Sequence, residues 1–106
     1  MTEKRRFSRI TCVVEGTVLC RDVTFNCRLE NLSLSGALVT IRDSAVTGIR
    51  DGDTCTLRLK REIEGRHFTV EALVVNHVFA FVGLAFLNLA PETKVSLEKI
   101  MEREKL

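Results

Sequence analysis

The sequence predicts an all-β protein with a C-terminal helix: six antiparallel strands closing into a small barrel, entered by a flexible basic N-terminal arm. Three observations lead there. Between Ile10 and Leu87, run after run places apolar residues at every second position, the period of a half-buried strand. Glycine and aspartate residues punctuate those runs at intervals that suit hairpins and short connections. Beyond Pro91 the pattern becomes helical, with Val95, Leu97, Ile100 and Met101 as the expected apolar stripe. A chain of 106 residues is near the commonest size for one domain. The expected division of that domain, 1–106, is arm 1–9, barrel 10–88 and helix 91–105.

Residues 1–9 hold Lys4, Arg5, Arg6 and Arg9 against Glu3, and they show no apolar periodicity except Phe7. A chain end with so little to bury gains little from being fixed, so a loosely ordered arm is expected. Ile10, Cys12, Val14, Gly16, Val18 and Cys20 share one parity of the first strand, with Gly16 expected to mark a bulge or bend. Arg21-Asp22 is a turn, and Phe25, Cys27 and Leu29 are the inward residues of a second strand over Thr24–Leu32. The strand over Ala37–Ile41 follows the corner Asn31-Leu32-Ser33-Leu34-Ser35-Gly36.

At that corner Asn31 and Ser33, two apart, project to one side while Leu32 and Leu34 face the other. Gly36 is expected to use a positive φ that a residue with a Cβ would resist. Such a corner is either an ordinary polar turn or the edge of a small-molecule site. Residues 42–53 read as a connection in which Ala45, Val46 and Ile49 cover one opening of the core. Thr54–Ile63 points Cys55, Leu57 and Leu59 inward and Arg58 and Lys60 outward. Glu64-Gly65 is a hairpin turn, Arg66–His77 the returning strand, and Val78–Leu87 the last strand, interrupted by Gly83. Pro91 suits the first turn of a helix and Glu92 its positive end; the helix should lie on the barrel, across one end.

Composition narrows the function. With 45% hydrophobic and 28% charged residues the chain resembles an ordinary soluble globular protein. A net charge of only +2 argues against a general nucleic-acid or membrane-surface binder. No apolar run approaches the ~20 residues that span a bilayer, and the N-terminus lacks the apolar segment of a signal peptide, so a cytoplasmic location is expected. Cys12, Cys20, Cys27 and Cys55 contain no CxxC pair and no zinc spacing. They are read as reduced thiols, with Cys12 and Cys20 as small core residues and no metal site. His67 and His77 have no sequence-local nucleophile, and no GxSxG, P-loop or HExxH is present. No catalytic residues and no enzyme activity are expected.

Binding chemistry is better represented. Arg5 and Arg9 immediately precede the first strand, so their arm can fold back over the barrel wall. A guanidinium is a planar fork that hydrogen-bonds two acceptors at once and stacks on flat π-systems. It suits guanine, whose O6 and N7 lie side by side, and it suits phosphate. Asn31 can donate to or accept from a base edge, and Ser33 adds a hydroxyl. Arm and corner together make a chemically sensible guanine-nucleotide site.

Arg5-x-x-x-Arg9 followed by Asn31-x-Ser33-x-x-Gly36 resembles the two-part signature of PilZ domains, RxxxR and [D/N]xSxxG, at every specified position. Val82-Gly83-Leu84-Ala85-Phe86-Leu87, then Pro91-Glu92 and a helix, is similar to the family's ending, so the resemblance covers essentially the whole chain. It implies a bacterial second-messenger receptor: a six-stranded barrel binding cyclic di-GMP on its outer surface, often as an intercalated pair, with no other cofactor. Arg5 and Arg9 would grip guanine and phosphate, with Arg6 assisting. Asn31 and Ser33 would hold the base edge, and Gly36 would keep the corner open. Ordering of the arm would signal to an effector protein, the receptor itself being a monomer or weak dimer. The chain departs from many members on the strand Val74-Val75-Asn76-His77, where they carry a large aromatic or basic residue; Asn76 and His77 are the candidates here. Two other readings are an adaptor that binds protein but no nucleotide, and a small RNA-binding barrel. The latter wants aromatic stacking platforms, which a chain with no Trp or Tyr supplies poorly.

Overall fold

The computed structural model describes residues 9–42, 48–63 and 66–104. Six strands precede one helix: β1 (Arg9–Cys20), β2 (Val23–Ser33), β3 (Gly36–Ile41), β4 (Thr54–Ile63), β5 (Arg66–Val78), β6 (Phe81–Phe86) and α1 (Pro91–Glu104). All pairings are antiparallel and the sheet closes in the order β1-β2-β3-β6-β5-β4. Closure removes the free edges that an open sheet would present.

Alternation builds the interior as the pattern requires. Val18, Cys27, Leu29, Val39, Leu57, Leu59, Ala72 and Val82 are fully buried, while Arg28, Arg58, Lys60 and Glu71 between them are exposed. An eight-strand barrel is already just wide enough for side chains to fill, so this narrower one has no room for a ligand inside. Ile49 from the β3–β4 connection is buried, as expected of a residue covering an opening; Ala45 and Val46 lie outside the described residues. The Glu64-Gly65 turn does too, although Ile63 and Arg66 on either side of it are register partners. At the β1–β2 hairpin both central residues, Arg21 and Asp22, have positive φ (49° and 66°). That combination matches the twist of the flanking strands.

Three expectations need correction. Gly16 is not at a bulge. It pairs regularly with Cys27 and Leu59, and a Cβ there would sit 2.6 Å from the Arg58 carbonyl oxygen, so glycine permits β1 and β4 to approach. The β1 irregularity is at Cys12 and Val13, between the pairs Thr11–Asn31 and Val14–Leu29. The run Val78–Leu87 is not one strand: β5 continues to Val78, Phe79-Ala80 turns, and β6 begins at Phe81. No Gly, Pro or Asn marks that turn, and Phe79 occupies its positive φ (56°). Finally, Val95 is not on the buried face of α1. Two helical steps turn about 200°, so Val95 and Leu97 cannot share a stripe. Leu97 and Ile100 are fully buried, Met101 packs against the core, and Val95 is half exposed. Helix α1 lies against β5, β1 and β4.

Among the described residues, no helix is long and apolar enough to cross a membrane.

Candidate functional site

The two sequence motifs meet through strand register. Arg9, the first residue of β1, is the cross-strand partner of Ser33, and Thr11 is the partner of Asn31. Directly paired residues in an antiparallel ladder have Cα atoms about 4.5–5.5 Å apart. The end of the arginine motif thus lies beside the polar corner, although 22 and more residues separate them in sequence. Arg5 and Arg6 lie outside the described residues.

A bulge aims the corner. Phe25, Cys27 and Leu29 are buried at odd positions, which would send Asn31 and Ser33 inward if β2 continued unbroken. Instead Leu29 pairs with Val39 while Asn31 pairs with Leu38, leaving Glu30 as the extra residue. Parity flips there, Leu32 becomes fully buried, and Asn31 turns to the outer face. The bulge residue is held: Thr40 Oγ1 donates to the Glu30 carboxylate at 2.7 Å, and Arg28 Nε donates to it at 3.1 Å. The Thr40 hydroxyl, more than the Arg28 charge, keeps the Glu30 carboxyl below the usual carboxylate range. The bulge was missed from sequence, yet its signal was present as the three-residue step from Leu29 to Leu32.

Ser33 is the buried polar residue of the described core, only 3% exposed. Its hydroxyl lies 3.1 Å from that of Ser35, accepts from Ser35 N at 3.3 Å, and reaches the Gly36 carbonyl oxygen at 3.4 Å. Ser35 itself is exposed, and its carbonyl oxygen accepts from Phe86 N at 2.9 Å, which fastens the corner to the end of β6. Gly36 does not adopt a positive φ; Gly52 is the described glycine that does. Gly36 is required for another reason: a Cβ there would overlap the Leu84 carbonyl oxygen, where β3 and β6 run close together.

Beyond Asn31 the same row continues across the outer sheet. Asn31 pairs with Leu38, Leu38 with Gly83, and Gly83 with Asn76. At strand spacings of about 4.8 Å, Asn31 and Asn76 stand roughly 14 Å apart on the face. The Asn76 amide lies over Gly83, so close that a Cβ there would be 2.7 Å from Asn76 Oδ1. His77 does not belong to this face. A second bulge at Val75 turns it towards the β3–β4 connection, where Nδ1–H donates to the Ile49 carbonyl at 2.9 Å. His67 Nδ1–H likewise donates to the Leu59 carbonyl, at 3.2 Å. At the far end of the β5–β6 hairpin, Val75, Val78, Phe79 and Phe81 are all exposed, Phe79 by 89%. Among the described residues no group of three His, Cys, Asp or Glu side chains is placed to hold a metal.

Comparison with known proteins agrees with this architecture. The family model for the PilZ domain matches residues 3–103. No curated protein matches the chain. Among solved structures, the PilZ domain of YcgR from Escherichia coli, determined with c-di-GMP, superposes with a TM-score of 0.81 at 17% identity, covering 97% of this chain and 92% of that one. The Bacillus subtilis inhibitor of motility, MotI/DgrA, gives 0.75 at 17% identity over 96% of this chain and 51% of that one, so this chain spans about half its length. The PilZ domain of CeSA from a cellulose-synthesizing bacterium gives 0.72 at 15% identity, over 91% and 96%. At such identities the likeness is one of fold.

Proposed function

Because this chain belongs to the PilZ domain family, we propose that it is a receptor for cyclic di-GMP, which it binds on the outer face of the barrel between the basic arm and the Asn31–Gly36 corner. The observation that carries this reading is the pairing of Arg9 with Ser33 and of the neighbouring Thr11 with Asn31. In backbone register the end of the RxxxR segment adjoins the strand that carries Asn31 and Ser33, and guanidinium, amide and hydroxyl are the chemistry that a guanine edge and a phosphodiester require. In this reading Arg5 and Arg9 grip guanine and phosphate and Arg6 assists. Asn31 holds the base edge, Ser33 supports it, and Gly36 lets β3 carry the corner against β6. Ordering of residues 1–9 on the ligand changes the surface offered to an effector protein, coupling occupancy to partner choice.

A second reading, an adaptor that binds protein without nucleotide, draws on the exposed Val75, Val78, Phe79 and Phe81 at the β5–β6 hairpin. Apolar side chains gathered at one exposed place mark interaction surfaces more often than chance.

Isothermal titration of cyclic di-GMP into the wild type and Arg9→Ala, at physiological salt, separates the two. Saturable binding that Arg9→Ala abolishes in a folded variant supports the receptor. Absence of both heat and ligand-dependent stabilisation in the wild type overturns it and leaves the adaptor.

A further inference from the structure

We infer that Ser35, at a position that the [D/N]xSxxG pattern leaves unspecified, donates a hydrogen bond to a phosphodiester oxygen of the ligand, and that Ser33 acts as the positioning residue behind it. This deepens the receptor reading above and rests on it.

The inference comes from how the two hydroxyls divide exposure. Ser33 Oγ is on the outward parity of the strand but is shut in, at 3% exposure, by the turn it belongs to. It already accepts from the Ser35 amide, and its own proton has two possible acceptors: Ser35 Oγ at 3.1 Å and Gly36 O at 3.4 Å. O–H···O bonds favour distances near 2.7–2.8 Å, so the shorter contact is the better bond. When Ser33 donates to Ser35, the Ser35 hydroxyl has its own proton free to point outward, with its oxygen polarised by the bond it accepts. Ser35 is exposed, so that proton faces solvent or ligand. The ligand oxygen it suits is anionic, because charge-assisted hydrogen bonds are about twice as strong as neutral ones. The corner also fixes Ser35 in place, since its carbonyl is tied to Phe86 N and its amide to Ser33 Oγ. Arg9 is the register partner of Ser33 on β1, so an arginine position of the RxxxR segment lies next to this corner in the sheet.

The test is titration of cyclic di-GMP into Ser35→Ala, Ser35→Thr, Ser33→Ala and the double alanine variant, with melting curves to confirm folding. The phosphorus resonances of the bound ligand are followed by NMR. Ser35→Ala should weaken binding by about 10-fold or more, the range for a hydrogen bond to a charged group, and shift a bound phosphorus resonance. Ser35→Thr, which keeps the hydroxyl, should restore both. Ser33→Ala should shift the same resonance, and its effect should shrink once Ser35 is alanine, because its contribution passes through Ser35. Wild-type binding with Ser35→Ala unchanged in affinity and phosphorus shift overturns the Ser35 inference alone. Additive losses from the two alanines overturn the positioning role. No binding by the wild type overturns the receptor reading and this inference with it.

Discussion

Replacing Gly36 by alanine tests whether the last residue of the corner motif serves the ligand or the fold. A Cβ at that position would overlap the Leu84 carbonyl oxygen, with the Leu84 carbonyl carbon at 3.2 Å and Ala85 Cα at 3.3 Å. These are backbone atoms of a paired strand and cannot rotate aside. Ordinary C···O contact of about 3.3–3.6 Å would be regained only if β3 and β6 separated by more than about 1 Å. A shift of that size would take the 2.9 Å bond from Phe86 N to Ser35 O beyond useful length. Overpacking contributes about 1–3 kcal/mol and the lost hydrogen bond ~1 kcal/mol, together about 3 kcal/mol of destabilisation. At about 4–8 °C per kcal/mol for a domain of this size, the melting temperature should fall by on the order of 10–20 °C. Circular dichroism melts of Gly36→Ala beside Gly48→Ala give the comparison. At Gly48 a Cβ would have only Phe25 Cζ at 3.6 Å and Arg21 Nη2 at 3.8 Å, both ordinary contacts. If Gly36→Ala melts within about 2 °C of the wild type, the steric reasoning fails, because a clash of this kind carries a larger cost. A glycine at this position would then have to be explained by the ligand.

Two further outcomes follow from perturbed groups. Burial, then the neighbouring Asp53, raises the Cys20 pKa, and burial pushes the Cys55 thiol up to about 12. In a Cys12→Ser background, the buried Cys20, Cys27 and Cys55 should resist a thiol-disulfide reagent at about pH 8 and react only on denaturation, Cys20 and Cys55 also because their raised pKa values disfavour the reactive thiolate. Rapid labelling of the folded variant would contradict this. The Glu30 carboxyl titrates below its ordinary value, so its stabilising contribution is present above that value and is lost as pH falls through the lowered one. Thr40→Val removes the largest cause, so the drop in stability between about pH 6 and pH 3 should become smaller in urea melts; an unchanged drop would refute the assignment.

The repeated alternation made the barrel legible, and the helix was legible from Pro91 and the stripe completed by Leu97, Ile100 and Met101. Less legible was anything that depends on backbones meeting across strands. Gly36 and Gly16 both looked like conformational glycines, since sequence shows flexibility but not the opposing Leu84 or Arg58 carbonyl. The Phe79-Ala80 turn was hidden because an aromatic residue occupies a conformation that glycine or asparagine usually signals. Asn76 and His77 were equal candidates in sequence; the register shift at Val75 separates them, sending one over Gly83 and the other to the Ile49 carbonyl. The candidate residues Asn31 and Ser33 were legible by type, but their common outward parity with the buried odd positions of β2 in the same strand was a contradiction that only an extra residue resolves.

That extra residue ties the architecture to the site. Of the four register irregularities in the described sheet, three fall along one line: Cys12–Val13 on β1, Glu30 on β2 and Val75 on β5. Bulges increase local twist, and a sheet of only six strands must twist and coil strongly to close. Their placement also decides which side chains leave the core. With β2 in unbroken alternation, Asn31 and Ser33 would follow Phe25, Cys27 and Leu29 into an interior of leucine and valine. An amide buried there without partners would cost several kcal/mol. With Glu30 extruded and held by Thr40 and Arg28, Leu32 takes the core position and Asn31 is left on the outer wall. Val75 does the same for Asn76 on the far side of Gly83. The irregularity that lets the barrel close is thus the one that furnishes its outer face with polar groups, so deleting Glu30 should disturb fold and ligand face together rather than either alone.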